Sequence, residues 1–302
     1  MPLGFPSPRI GLASSGLHRR APDGALFRLL LPLERIIREE LRPEILALGQ
    51  TYDAIAAGVL AGYPRLTRLP TRRDGGLIHL VAAVVSGDPA RRLDAMIYLL
   101  DPDDPTSVFP EGLALKRECV IHETVFVSTL AHAREWFELA RVECGFAPDP
   151  LQDSQFDFAS QTIALIAHDA CKGEMVDFVR ARFAFFDRFR RRIATGTTGG
   201  LLNDLAEDVS PARAPWVQCF HSGPLGGDAE IALEVLENRC RRVIFLEDPH
   251  VARQHEADIQ LVERSARITS ERTMCVSDRA SADAWVGSCE KRRKARSPGV
   301  SA

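Results

Sequence analysis

Short apolar runs alternate with longer amphipathic segments along both halves of the chain. In the second half each apolar run ends at a polar or glycine-rich turn, and each run is too short for a helix. Such runs are typical of parallel strands that are buried on both faces of a sheet. The predicted strands of this half are residues 163–167, 192–195, 217–220, 243–246 and 273–276.

The segments between these strands have the apolar period of helices, and they are residues 174–189, 228–239 and 257–268. Alternating strands and helices predict an α/β fold, in which helices cover both faces of a doubly wound, mainly parallel sheet. Ligands of such sheets bind at the carboxyl ends of the strands, so we expect functional residues in the turns that follow them.

The first half repeats this pattern with small changes in loop length. Four segments, among them an Asp-Pro strand end and a Gly-Gly turn, occur in the same order in both halves. The aligned pairs are residues 47–55 with 194–202, 74–76 with 225–227, 96–102 with 243–249, and 125–129 with 274–278. A constant order of motifs indicates duplicated domains, and the alternative is a chance similarity of apolar strands. The repeat predicts two tandem three-layer α/β/α domains.

A stretch rich in Pro, Asp and Gln separates the halves and predicts a linker over residues 146–160. The predicted domains are therefore residues 1–145 and 161–287. Residues 288–302 are strongly basic. Charge runs of this kind are typical of solvated, disordered tails, with weak contact to a polyanion as the alternative.

The composition is that of a globular protein, with 302 residues, 45% of them hydrophobic, and a formal net charge of −3. This charge gives no general attraction to nucleic acid, and no apolar run approaches the roughly 20 residues of a membrane helix. The proline-rich N-terminus lacks the apolar core of a signal peptide, and the seven cysteines show no C-x-x-C spacing. We expect a cytoplasmic protein with free thiols and no membrane or nucleic-acid partner.

The turn at residues 195–200, Thr-Gly-Thr-Thr-Gly-Gly, has the composition of a phosphate site. Glycines let backbone N–H groups point inward, threonine hydroxyls add donors, and the following helix presents its positive N-terminus. No Gly-Lys-Ser/Thr follows, so the turn is not a Walker-type nucleotide loop. Lys172, shortly after the first strand, can add a point charge. The alternatives are a purely structural turn and a solvated lysine.

Carboxylates and a histidine follow the neighbouring strands. Asp228 comes after two glycines, where it is placed either to act as a base beside a bound phosphate ester or to cap a helix. Asp248 ends the fourth strand, and His255 and Asp258 follow it. Histidines and carboxylates in such positions are also common on solvated surfaces. The His and Cys residues have no metal-ligand spacing, so no metal is expected.

These motifs together resemble the methylglyoxal synthase family over about residues 160–286. The matching segments are Ala-His-Asp-Ala-Cys-Lys at 167–172, Ala-Thr-Gly-Thr-Thr-Gly-Gly-Leu at 194–201, Ser-Gly-Pro-Leu-Gly-Gly-Asp at 222–228, Asp248-Pro249, and His255 with Asp258. They occur in the order and at the spacing of the family. The resemblance implies a lyase that converts dihydroxyacetone phosphate to methylglyoxal and inorganic phosphate without a cofactor.

The resemblance also implies a role for each matching residue. Asp228 matches the aspartate that removes a substrate proton, His255 matches a histidine that moves protons between oxygens, and Asp258 matches a third catalytic residue. The positions that match substrate- and phosphate-binding residues are His168, Lys172, Thr195, Gly196, Thr197, Thr198, Ser222 and Gly223. Asp248 and Arg264 match supporting residues, whereas Glu247 and Asp278 depart from the usual residues of the family.

The resemblance also implies how the chain is inhibited and how it assembles. Inorganic phosphate is expected to inhibit by occupying the phosphate turn. The family forms hexamers of single domains, so a chain with two domains is expected to be a homo-oligomer, with a trimer that mimics a hexamer as the template. The same fold serves as a regulatory module in carbamoyl-phosphate synthetase, so a phospholigand-binding module with little turnover is the alternative function.

The first half lacks most of the matching residues. Leu77 stands where the catalytic aspartate is expected, Val108 and Phe109 occupy the histidine region, and only Thr51 and Asp101 remain of the polar set. We expect this half to share the fold of the second half and to be non-catalytic. A structural or interaction role fits the first half better than the second half.

Overall fold

The computed structural model describes residues 7–104, 110–250 and 256–296, and only the backbone of residues 256–260. The chain divides into two compact units. Met1–Pro148 and Ser288–Ala302 form the first unit, and Asp149–Gly287 forms the second unit. The division between Pro148 and Asp149 therefore lies inside the predicted linker.

The first unit is a sheet of five parallel strands with helices on both faces. The strands are β1 Arg9–Ser14, β2 Glu44–Ala47, β3 Leu66–Arg68, β4 Ala95–Leu99 and β5 Val125–Val127, in the order β3-β2-β1-β4-β5. The helices are α1 Gly16–Arg20, α2 Ala25–Arg35, α3 Gly49–Ala56, α4 Gly76–Val84, α5 Pro110–Ile121 and α6 Leu130–Glu143. A π-helical segment, Ile36–Leu41, continues α2.

The second unit has the same topology. Its strands are β6 Thr162–Ala167, β7 Arg191–Ala194, β8 Gln218–Cys219, β9 Arg242–Leu246 and β10 Met274–Val276, in the order β10-β9-β6-β7-β8. Its helices are α7 Lys172–Ala181, α8 Phe183–Phe186, α9 Gly196–Val209, α10 Gly227–Leu236, α11 Glu256–Ile268 and the first part of α12 Arg279–Arg296. In each unit the first strand is central, so the predicted fold class and the repeated topology are confirmed.

The period of two along the central strands explains why helices cover both faces. In β1, Ile10 and Leu12 pack with α2, α3 and α6 on one face, whereas Ala13 packs with α4 and α5 on the other. In β6, Ala164 and Ile166 pack with α10 and α11. Each sheet therefore has an apolar layer on either side, as the continuous apolar runs indicate.

Three sequence predictions need correction, and the first concerns the linker. Residues Pro150–Phe156 and Phe158–Ser160 form 3₁₀ turns. Phe158 is 2% exposed and stacks on Phe189, with ring centroids 4.7 Å apart. Aromatic burial therefore packs this part of the segment into the second unit. The second correction is that the single helix predicted over 174–189 is interrupted at Arg182, between α7 and α8.

The third correction concerns the basic tail. The prediction of disorder over 288–302 is wrong for residues 288–296, which continue α12, while residues 297–302 lie outside the described ranges. Arg292 is 3% exposed, and its Nε lies 3.0 Å from Oε1 of Glu138 in α6. Glu138 is also paired with Arg141 at 2.7 Å. These buried ion pairs hold the end of the described chain in the first unit.

The seven cysteines all lie within the described ranges, and none of them forms a disulfide bond there. Within the described ranges, no helix combines the length and the apolarity that crossing a membrane requires.

Candidate active site

Most of the predicted site residues lie in the turns at the carboxyl edge of the second sheet. Strand β6 lies between β7 and β9, with Leu165 opposite Ala194 and Ala167 opposite Leu246. The turns that begin at His168, Thr195 and Glu247 are therefore neighbours. This edge is where ligands bind in sheets of this type.

The glycine-rich turn before α9 is held against the turn after β8. The N–H of Gly196 donates to the carbonyl of His221 at 2.9 Å. A Cβ atom at Gly196 would lie 3.1 Å from the backbone nitrogen of Ser222, which is closer than most side chains tolerate. The glycine thus allows two backbone segments to approach each other and brings Ser222 and Gly223 beside the N-terminus of α9.

The start of α9 offers hydrogen-bond donors. Within the described residues, the side chain of Thr195 makes no capping bond to the helix, although it precedes the first turn. The hydroxyl of Thr198 is fully buried and has no hydrogen-bond partner in the described part of the chain. Thr197 is exposed. A buried hydroxyl at the positive end of a helix suits an anionic ligand, because burial without a partner costs free energy.

Asp228 occupies the first turn of α10 and is 8% exposed. The N-cap of this helix is Gly226, whose φ of 94° is a conformation that favours glycine, so Asp228 does not cap the helix. Gly227, between Gly226 and Asp228, packs closely against the loop at His221. A Cβ atom at Gly227 would lie 1.9 Å from the carbonyl oxygen of His221. Oδ2 of Asp228 lies 2.9 Å from where a Cβ of Gly223 would be. The carboxylate therefore lies against the turn that faces α9.

A second carboxylate fixes this loop. Glu230 accepts the backbone N–H of His221 at 2.9 Å and contacts the ring Nδ1 of the same residue at 2.8 Å. These two hydrogen bonds lower the pKa of Glu230. No sequence motif points to Glu230. Its position on α10, one helical turn after Gly226, is the signal that could have suggested the contact.

His168 is oriented by the backbone of the neighbouring turn. The N–H of Asp248 donates to Nδ1 of His168 at 2.9 Å, so the neutral ring carries its proton on the buried Nε2. The ring also meets Phe245 edge to face, with centroids 5.1 Å apart. A histidine held in this tautomer can donate a hydrogen bond to a substrate oxygen.

Lys172 is half-buried at the start of α7, and its Nζ lies 2.5 Å from Oδ1 of the exposed Asp169. It is therefore neither fully solvated nor fully buried. Beside it, burial and the negative charges of Glu174 and Asp248 raise the pKa of Cys171 to about 11. The thiol stays protonated at neutral pH, which argues against a cysteine nucleophile.

Three predicted residues lie outside this described cluster. His255 is outside the described residues, and Asp258 is described only by its backbone in α11. Arg264 lies about two turns into α11 and is exposed. In the described ranges, no group of three or more His, Cys, Asp or Glu side chains is arranged to hold a metal ion.

Comparison with known proteins adds independent information. No family model matches the chain. A methylglyoxal synthase of Ralstonia nicotianae is 40% identical over 121 residues, which cover 40% of this chain and 82% of that protein. Methylglyoxal synthases of Thermus thermophilus and Borreliella burgdorferi are 39% and 38% identical, over 36% and 34% of this chain and 79% and 75% of their own lengths. The chain belongs to the methylglyoxal synthase family.

In each of these three relatives the matched length is that of one unit. Family membership therefore rests on one of the two α/β units, and the chain is longer than a methylglyoxal synthase of the usual size. A solved methylglyoxal synthase from Elizabethkingia anophelis is 32% identical, with a TM-score of 0.34, and the match covers 42% of this chain and 78% of that one.

One departure from the usual residues of the family has a structural explanation. Asp278 is 8% exposed and its Oδ1 accepts the N–H of Ser281 at 2.7 Å. It caps α12, as Thr129 caps α6 in the first unit by accepting the N–H of His132. Nothing in the structure explains the Glu247 departure.

Proposed function

We propose that the second unit converts dihydroxyacetone phosphate to methylglyoxal and inorganic phosphate. The observation that carries the proposal is the buried carboxylate of Asp228, placed against Gly223 and the loop that contacts the N-terminus of α9. A base beside a phosphate site is the arrangement that proton removal from a phosphorylated ketone requires.

The substrate phosphate would bind at the first turn of α9. The backbone donors there, the hydroxyl of Thr198 and the charge of Lys172 are matched to a dianion. Thr195, Thr197, Ser222 and Gly223 would complete the cradle. This anchor holds the bond between carbon and the bridging phosphate oxygen in one orientation.

In the reaction, Asp228 removes a proton from the hydroxymethyl carbon, and the electron pair of that C–H bond forms an enediolate with the carbonyl. His168, through Nε2–H, and His255 would stabilise and move protons between the two oxygens. The enediolate then expels phosphate as the carbon–oxygen bond breaks. The enol that remains accepts a proton at its terminal carbon, loses the proton of its hydroxyl group and becomes methylglyoxal. Asp258, Asp248 and Arg264 would support the site.

The direct test is to incubate the purified chain with dihydroxyacetone phosphate and follow methylglyoxal and phosphate. We expect both products in equal amounts. Tight binding of the substrate with neither product formed would contradict the proposal and favour the regulatory module.

Replacing Gly223 by alanine is expected to lower kcat by up to about 10²-fold, because the new methyl group would displace the carboxylate of Asp228. Stability should change little, since the displaced atoms are the end of a side chain. The control is Gly173→Ala, where a Cβ meets nothing within 4 Å. Equal kcat values for the two variants would show that the position of Asp228 is unimportant.

Inorganic phosphate is expected to compete with the substrate. Thr198→Val removes the buried hydroxyl and Lys172→Ala removes the charge, so each should raise the inhibition constant, by about tenfold for a lost charged hydrogen bond. The measurement is the slope of a competitive inhibition series. Unchanged inhibition constants in both variants would place the anion site elsewhere.

A further inference from the structure

The first unit has the turns of the second unit with different side chains. The N–H of Gly49 donates to the carbonyl of Pro70 at 3.2 Å, as Gly196 donates to His221. The N–H of Gly76 donates to Thr71 at 2.8 Å, as Gly227 donates to Ser222 at 3.0 Å. The backbone that builds the candidate active site is therefore repeated at the carboxyl edge of the first sheet.

The same correspondence continues at the central strand. The N–H of Asp101 donates to Oγ of Ser15 at 3.1 Å, as that of Asp248 donates to His168. Ser15 is the first residue after β1 and His168 is the first after β6. Four residues further on, Arg19 stands where the second unit has Lys172. From the sequence, only Thr51 and Asp101 are recognisable as retained polar residues, and this cation is not.

These turns enclose a cleft of about 1090 Å³ in the first unit. Four arginines line it: Arg19 and Arg20 from α1, and Arg72 and Arg73 from the turn before α4. Tyr98 and Thr71 also contribute to the wall. A cleft of this size accommodates a small metabolite.

Arg20 and Arg72 lie close enough to Arg19 to repel its positive charge. Burial, followed by the positive charges of Arg20 and Arg72, lowers the pKa of Arg19. Nη1 of Arg19 donates to the carbonyl of Ser14 at 2.6 Å, and its other nitrogen contacts Gln50, so the side chain is held in place. A guanidinium group held beside two like charges is stabilised by an anion, and arginine suits phosphate in particular.

Acidic residues also line the cleft, and they are Asp103, Asp104 and Glu111. Asp104 lies close enough to Arg19 to oppose the lowering of its pKa. Carboxylates accept hydrogen bonds from hydroxyl or ammonium groups. A ligand that satisfies both sets carries a phosphate together with hydroxyl or amino groups. Thr51 does not serve this ligand directly, because its hydroxyl is fully buried and bonded to the backbone N–H of Ser14 at 3.1 Å.

We propose that the first unit binds a phosphorylated small molecule that carries hydroxyl or amino groups, and that it binds this molecule without turnover. Leu77, buried in the core where the second unit has Asp228, provides no base. The first unit is then a ligand-binding domain of the chain, and this role does not depend on whether the second unit is active.

The test is calorimetric titration of the full chain with glycerol 3-phosphate, in a Lys172→Ala/Thr198→Val background that weakens the anion site of the second unit. We expect binding in this background, and tighter binding than for inorganic phosphate. Arg72→Gln should raise the dissociation constant by about tenfold or more, or remove one binding event per chain. Arg91→Gln, at an arginine whose side chain is 78% exposed and outside the cleft, should leave it unchanged.

Arg73→Glu provides a second variant, because Arg73 is exposed and its replacement should not disturb folding. It should weaken binding more than Arg72→Gln, since it reverses a charge. Equal affinity and stoichiometry in the background, Arg72→Gln and Arg73→Glu would overturn the proposal, as would equal affinity for glycerol and glycerol 3-phosphate. Turnover of dihydroxyacetone phosphate is assayed separately, so failure of the proposed reaction and failure of this binding site give different results.

Discussion

Asp228→Asn is expected to lower kcat for methylglyoxal formation by roughly 10²–10⁴-fold, which is the usual share of a general base. The amide has the shape of the carboxylate and fits the same space against Gly223, but it cannot accept the substrate proton. In the proposed site, phosphate is bound by the first turn of α9 and by Lys172, so the affinity for phosphate should stay nearly unchanged. Steady-state kinetics and phosphate inhibition, measured on the same preparation, test both statements.

The matched control is Asp204→Asn, an aspartate of α9 that is exposed. It changes the net charge by the same amount and should leave kcat and KM unaltered. If Asp228→Asn kept more than about a hundredth of the wild-type kcat, the role of general base would have to be assigned elsewhere.

Arg292→Ala is expected to destabilise the first unit by about 3 kcal/mol, the lower end of the cost of breaking a buried ion pair. The substitution leaves the carboxylate of Glu138 buried with one of its two arginines removed. Arg141 remains beside it, which is why the loss should not be larger. The measurement is the urea midpoint of the transition that belongs to the first unit, assigned by following hydrogen exchange in each unit.

Arg293→Ala provides the comparison, because Arg293 is the next residue of α12 and is exposed. Its midpoint should match that of the wild type. Glu138→Leu combined with Arg292→Met should recover much of the lost stability, since replacing a buried pair by apolar side chains is often neutral. Identical midpoints for Arg292→Ala and Arg293→Ala would mean that the ion pair contributes nothing.

The strands of the second unit could be predicted because buried parallel strands leave a local signal. The apolar run at β6 and the turn at Gly226 and Gly227 are readable from neighbouring residues alone. The same holds for the cluster of turns at the sheet edge, since the topology of a doubly wound sheet brings the ends of its central strands together. Fold and site location therefore needed no knowledge of distant contacts.

What could not be predicted depends on such contacts. Arg292 reads as a solvated cation because its partner Glu138 is 154 residues away in sequence. Arg19 reads as one of several N-terminal arginines, and only the hydrogen bond from Asp101 to Ser15 reveals that it corresponds to Lys172. Long polar side chains take their roles from whichever element packs against them, and a single sequence does not contain that information.

The first unit is made from two separate stretches of the chain, with the whole second unit between them. During synthesis, the N-terminal stretch leaves the ribosome first, but Arg292 becomes available to Glu138 only after the second unit has been made. The second unit can therefore fold while Glu138 of the first unit, which is buried in the complete fold, still lacks this arginine. A fragment that ends at Gly287 is expected to retain this defect permanently, because it lacks the part of α12 that carries Arg292.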